Sequence, residues 1–344
     1  GPGGGRQGGA ARAETRRAAG FPGAARAGPG AGAIAGGAAS LATRFPQSFL
    51  QRFRLWADVL DPLLLLRPSE EIRSSRLSIQ NNEKTLSEPI HSNQSSVHPD
   101  TDSVIPVLFR PPAFLPLSLP LVIVSSLQLP AKNAFLCQFV FHTYTTGFTL
   151  INGNGTTKAE EYSVQQKQVF CGLGAICYAA FIGAVPIFFM NRYTLKSPLT
   201  QLVVRKLLPA PLLGLMCAFT VAVVRSPEFE NGIEVMDRNG KVVGISQKAG
   251  KKAVKETALS RAALFGTAFF LPAVFMYFVE RANFAKTPRA LASMRMMMIT
   301  SVLAGMLPVS LSMFPQCGEI KRADLEPEIL SSTEEAELFY NRGI

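Results

Sequence analysis

The chain has 344 residues, 47% of them apolar, and a formal net charge of +11. Its apolar residues fall in blocks nearly free of charge over most of 113–314, with charges between the blocks. That pattern excludes most soluble-enzyme architectures and points to an all-α membrane protein, because a lipid-crossing segment must bond every backbone amide internally. The basic residues sit in loops and in an N-terminal arm with no recognition module around them, so the charge does not indicate nucleic acid.

Residues 1–44 are a low-complexity arm of Gly, Ala and Arg, read as disordered or as an artefact of the gene model. An Arg-rich, acid-poor bias suits a mitochondrial transit peptide, but each Gly costs about 1 kcal/mol against Ala in a helix. Residues 45–112 form an N-terminal amphipathic helical region. Phe49, Phe53, Trp56, Val59 and Leu60 recur at helical spacing, and Asp61-Pro62 ends the run. A second short helix is expected over 68–79, with Ser69 as N-cap. Residues 80–97 read as a loop.

The transmembrane domain is expected over 113–316. Its candidate spans are 113–129, 133–151, 165–190, 207–224, 262–279 and 294–314. Segment 133–151 is the doubtful one, since it carries Gln138, His142, Tyr144 and four threonines. Loop charge favours about five spans without it. On that count the arm and the basic loops 191–206 and 280–293 share the positive side, which is the matrix if the protein is mitochondrial. The acidic C-terminal tail, 317–344, then lies opposite, in the intermembrane space. Loop 225–261 is discordant, being basic on the acidic side. Within it, alternation over 232–237 and 241–246 around Asp237-Arg-Asn-Gly240 predicts a hairpin. Residues 247–261 predict a basic amphipathic helix after it.

Several motifs fail. Gly250-Lys251-Lys252 lacks the spacing and the Ser/Thr of a phosphate loop. The five cysteines contain no C-x2-C, and His91, His98 and His142 are far apart, so no metal or cofactor site is expected. No nucleophilic triad appears, and acids are nearly absent from the spans. The chain is therefore read as a non-enzyme.

The order of features resembles the sideroflexin family of mitochondrial inner-membrane proteins over about residues 45–344. The resemblance is carried by Gln47-Ser48, Asp61-Pro62, His98-Pro99-Asp100-Thr101, Gly232-Ile233 through Gly240, Ser260-Arg261, Phe314-Pro315-Gln316 and the final Phe339-Tyr-Asn-Arg-Gly-Ile344. It implies a five-span inner-membrane protein. Several family members carry serine, and one branch is associated instead with respiratory complex I assembly and with iron–sulfur and haem homeostasis. The segments RFRLWADVLDP (52–62), LFRPPAFLP (108–116), INGN (151–154), LFGTAFFLP (264–272) and TEEAELFYNRG (333–343) resemble that branch. Against the serine carriers, Cys217 and Thr220 stand where the resemblance implies asparagines, Ala222 replaces a proline, and Thr267-Ala268 replaces Pro-Gly.

Two functional expectations follow. The first is support of complex I assembly and iron homeostasis, with assembly factors as partners docking on helix 47–60, loop 225–261 or the tail. The second is a carrier of serine or another small amino acid. Its candidate path is His142, Asn152, Asn154 and Thr220, with His98, Pro99 and Asp100 as a candidate functional loop. A carrier replaces the water stripped from its zwitterion with protein polar groups, each worth roughly 4–8 kcal/mol in an apolar setting.

Overall fold

The computed structural model describes residues 48–74, 96–98, 103–127, 129–154, 162–193, 197–238, 240–284 and 287–344. The low-complexity arm, most of the loop 80–97, and Pro99 and Asp100 lie outside them. The described chain is mostly helical. Helix α1 (Phe49–Val59) opens with a capping box, in which Ser48 and Gln51 each bond the other's backbone amide. It stops where Asp61 caps a 3-10 turn over Pro62–Leu66, its Oδ1 accepting from Leu63 N. The next helical turns begin at residue 69, so Ser69 lies inside the first turn rather than capping it.

Six long helices build a bundle: α2 (Pro111–Ser125), α3 (Ala131–Ile151), α4 (Tyr162–Arg192), α6 (Pro209–Val224), α8 (Gln247–Arg281) and α9 (Pro288–Ser312). Short α5 (Pro198–Leu202) and a π-turn over Val203–Leu207 lead into α6. Among the described residues, three helices are long and apolar enough to cross a bilayer: Gln166–Met190 within α4, then α8 and α9. The apolar helices α2 and α6 are shorter, and α6 gains length from the helical run that precedes it. Helix α8 fuses the expected basic helix and the expected span into one rod of 35 residues, about 52 Å long. It crosses α6 closely at Gly214, where a Cβ would sit 2.8 Å from the Ala262 carbonyl oxygen.

The helices run as three antiparallel pairs. At one end of the bundle, Asn152 bonds the Phe109 carbonyl, Gln168 bonds the Val224 carbonyl, and Arg225 bonds Thr257. At the other end, Ser125, Pro130, Met190, Pro209, Met276 and Arg295 surround one cavity. Segment 133–151 is thus a helix running the full height of the bundle. Because each pair returns the chain to its starting end, α1 and the tail occupy the same end; Arg52 Nε donates to Ser312 O at 2.9 Å, and Ile344 N donates to Asn152 O. Loop charge had put arm and tail on opposite sides. His142, Thr145, Thr146 and Thr149 of α3 are buried within the bundle, whereas Thr143 is exposed.

The tail is not a loose acidic extension. Strands β1 (Ile233–Met236), β2 (Val242–Ser246), β3 (Cys317–Lys321) and β4 (Glu337–Asn341) make one antiparallel sheet in the order β2-β1-β4-β3. The hairpin turns on Gly240, at φ +75°, with Asp237 accepting from Lys241 N. Short α7 (Pro227–Glu230) precedes the hairpin, and α10 (Pro327–Ser332) lies between β3 and β4. Ile233, Val235, Ala249, Ala253, Ile320, Leu338 and Tyr340 form this unit's own core. A larger core holds the bundle, with Phe114, Phe141, Phe148, Leu264, Phe265 and Leu303 at its centre and Trp56 of α1 on its flank.

Candidate functional site

The tail end of the bundle closes on a buried polar knot. Asn152, the C-cap of α3, donates from Nδ2 to the carbonyls of Phe109 and Phe148 at 2.9 Å. The next residue, Gly153, presents its carbonyl 2.7 Å from His98 Nε2. Asn154 Nδ2 donates to Glu228 Oε2 at 3.1 Å. Glu228 also grips Arg225 in a two-pronged pair, Nε–Oε1 at 2.7 Å and Nη2–Oε2 at 2.8 Å. The remaining Arg225 donors reach Thr257 Oγ1 and the Arg342 carbonyl. Arg342 in turn donates to the carbonyls of Phe314 and Leu311. Gly343, at φ +71°, turns the last residues back against the Arg225 guanidinium. A charge pair this deeply buried holds only because its hydrogen-bonding capacity is nearly filled. Its chemistry is that of a lock between α3, α6, α8 and the tail.

The rest of the candidate path lies inside the bundle. Gln138, His142 and Thr146 follow one another at one-turn spacing on α3, all buried. Among the described residues, neither ring nitrogen of His142 meets a partner, nor do Gln138 Oε1 and Thr146 Oγ1. Thr220 is buried on α6 but spends its hydroxyl on the Cys217 carbonyl of its own turn. Gln138 lines the cavity at the loop end, about 470 Å³ in volume, with Ser125, Pro186, Ala268, Pro272 and Arg295. Pro272 carries no amide hydrogen, so the Ala268 carbonyl on that wall loses its helical partner.

The structure therefore divides the candidates. It brings His98, Asn152 and Asn154 together in the knot and leaves His142 and Thr220 in the interior. Pro99 and Asp100 lie outside the described residues. Arg225, Glu228, Arg342 and Arg261 were not singled out as site residues by sequence. The i, i+3 spacing of Arg225 and Glu228, directly after an apolar span, was the available signal for the first two. Among the described residues, no three His, Cys, Asp or Glu side chains gather as a metal set would require.

The sheet unit presents charge outward. Glu319, Asp324, Glu328 and Glu334 are exposed on the tail, and Lys248, Lys251, Lys252 and Lys255 are exposed on the first turns of α8. Other tail groups are committed to the fold. Glu326 accepts from Ser246 Oγ at 2.7 Å and from Lys248 N at 3.0 Å. Partial burial alone would raise its pKa, but those hydrogen bonds and Lys248 outweigh it and hold the carboxyl below its ordinary value. Tyr340 donates to Glu256 Oε2 at 3.1 Å. Burial, then Glu319 beside it, pushes the Cys317 thiol up to about 11, which leaves it protonated at neutral pH.

With the architecture in place, comparison with known proteins decides the family. A family profile described as Sideroflexins matches residues 42–344. The chain belongs to the sideroflexin family. It is 45% identical over 306 residues to Sideroflexin-4 of Danio rerio, covering 87% of this chain and 96% of that one. It is 38% identical over 312 residues to Sideroflexin-4 of Homo sapiens, covering 87% and 89%. Human Sideroflexin-5 is 28% identical over 316 residues, covering 88% and 91%. No solved structure matches the chain. The sideroflexin match takes in the whole bundle, the sheet unit and the knot.

Proposed function

We propose that this sideroflexin is a non-enzymatic, multi-pass protein of the mitochondrial inner membrane that supports respiratory complex I assembly and iron–sulfur and iron homeostasis. The observation that carries the reading is the sheet unit. Loop 225–261 and the tail, separate in sequence, form one folded platform fixed to the bundle by the Arg225–Glu228 knot. Its exposed acids and its row of lysines offer complementary charge to an assembly factor, which is what a docking protein requires. The likeness to Sideroflexin-4 proteins supports the same assignment.

Even pairing of the helices supports one side of the membrane for α1 and the platform together. The loop end carries Lys132, Arg192, Arg281, Arg289 and Arg295 against Glu280, and the positive-inside rule turns that end toward the matrix. The platform would then face the intermembrane space.

The test is rescue of complex I in cells lacking the protein. The full chain with Glu319→Lys, Glu328→Lys and Glu334→Lys should reach the membrane at normal level yet restore less complex I than the unaltered chain. Full restoration would remove the acidic face as the docking surface.

A second reading, a carrier of serine or another small amino acid, draws on the cavity lined by Gln138 and Arg295 and on unpartnered His142. It is the weaker one. Thr220 is self-bonded, and Asn152 and Asn154 are engaged in the knot.

A further inference from the structure

Arg261 is the most anomalous side chain in the molecule. It sits on α8 with 3% of its surface exposed. Its guanidinium lies over two phenyl rings, 4.9 Å from the centroid of Phe114 and 5.3 Å from that of Phe148. Among the described residues no acceptor meets its buried Nη2, and no carboxylate pairs with it. Two aromatic faces offset only part of the cost of taking a guanidinium out of water.

The surroundings add to the imbalance. Four arginines are buried at this end, namely Arg110, Arg225, Arg261 and Arg342. Glu228, the buried carboxylate among them, is taken up by Arg225 and Asn154. Glu256, half-buried, accepts from Tyr340. Arg110 Nη1 and Arg342 Nε are also buried without an acceptor. Among the described residues, this end of the bundle thus holds more buried positive charge, and more unmatched N–H groups, than the described carboxylates and carbonyls satisfy. The apolar inward faces of α3 and α6 include a few polar side chains. Helix α3 carries His142 and Thr146 with unpartnered atoms, and α6 carries Cys217 and Thr220.

We propose that Arg261 anchors an oxyanion site within the bundle, taking the carboxylate or phosphate group of a small molecule or the phosphate of a lipid headgroup. A planar guanidinium with its back on aromatic rings leaves its unmatched Nη2 to donate to an oxygen of a bound group. The site stands whether or not the protein moves a solute, because a resident anion would neutralise Arg261 equally well.

The test uses the full chain in nanodiscs of neutral lipid. Inorganic phosphate and, separately, succinate are titrated against chloride at matched ionic strength, and the unfolding midpoint is read. The expected result is a saturable rise of a few degrees with at least one oxyanion, because a ligand that binds only the folded state stabilises it. Arg261→Met should abolish the rise, and Arg54→Met, an exposed control, should keep it. If Arg261→Met does not fold, equilibrium dialysis of radiolabelled phosphate against the unaltered chain, with succinate as competitor, gives the same answer. Nanodiscs containing acidic phospholipid separate the sources: stabilisation by that lipid, with no further gain from phosphate, assigns the site to a headgroup. No saturable response in either lipid, or an equal response in Arg261→Met, overturns the proposal.

Discussion

At the scale of single residues, the argument turns on Arg225 and Glu228. Their pair is almost wholly shielded from solvent, and each also serves a partner distant in sequence. Arg225→Ala leaves Glu228 buried without its cation and should cost about 3–5 kcal/mol. Thermal unfolding in detergent would read this as a drop in midpoint larger than that of the exposed change Arg238→Ala. Gly318→Ala should loosen the sheet without touching charge, because a Cβ there would collide with the Tyr340 ring. Faster hydrogen exchange in 317–341 is the expected readout. Sequence reasoning found Asn152, Asn154 and His98 as notable polar residues and placed the asparagines on a substrate path only under the carrier reading. Their partners at Phe109, Glu228 and Ile344 are scores of residues away, and local pattern carries no information about such closures. Arg225 offered only its i, i+3 spacing to Glu228 as a local signal.

At the scale of elements, the chain's periodicities gave most helices and the hairpin near their observed positions. Asp237 through Gly240 produced the expected turn, and the apolar blocks produced helices. The tail's strands were not legible, because both are short and their pairing depends on a chain-distant partner: β4 pairs with β1, and β3 pairs in turn with β4. Glu326 shows how one acid in this tail is spent: it caps the start of α8 through Ser246 and Lys248. Its folded pKa lies below the ordinary glutamate value, about 4.3. The stability it adds is therefore full above that value and is lost as pH falls through the lower folded one. Limited proteolysis of the tail across pH 6 to 3 should show protection falling at the acid end, and Glu326→Gln should flatten that dependence. An unchanged profile in the variant would assign the acid sensitivity to another group.

At the scale of the whole molecule, parity is the deciding property. Helices α2 and α3 form one antiparallel pair, and α1 and the tail meet at one end of the bundle; on the topology we propose, the number of membrane passes between them is even. Cysteines introduced at Phe49 and Glu334, with the native cysteines replaced, should be labelled from the same side of the membrane. Labelling from opposite sides would break the paired arrangement. Removing 317–344 should lower the stability of the bundle as well as any docking, since it takes Arg342 and half the sheet from the knot. The family was legible from scattered motifs because those motifs mark the fold's junctions: Asp61-Pro62 ends α1, Ser260-Arg261 sits at the aromatic core, and Tyr340 through Ile344 closes the knot. What separates an assembly protein from a carrier is whether the interior still strips and holds a zwitterion. The most direct measurement is labelled serine uptake by proteoliposomes carrying the full chain, beside a serine-carrying sideroflexin. The account predicts background uptake by protein shown to be folded. Uptake near the relative's rate would contradict it and move the cavity at Gln138 and Arg295 to the centre of the function.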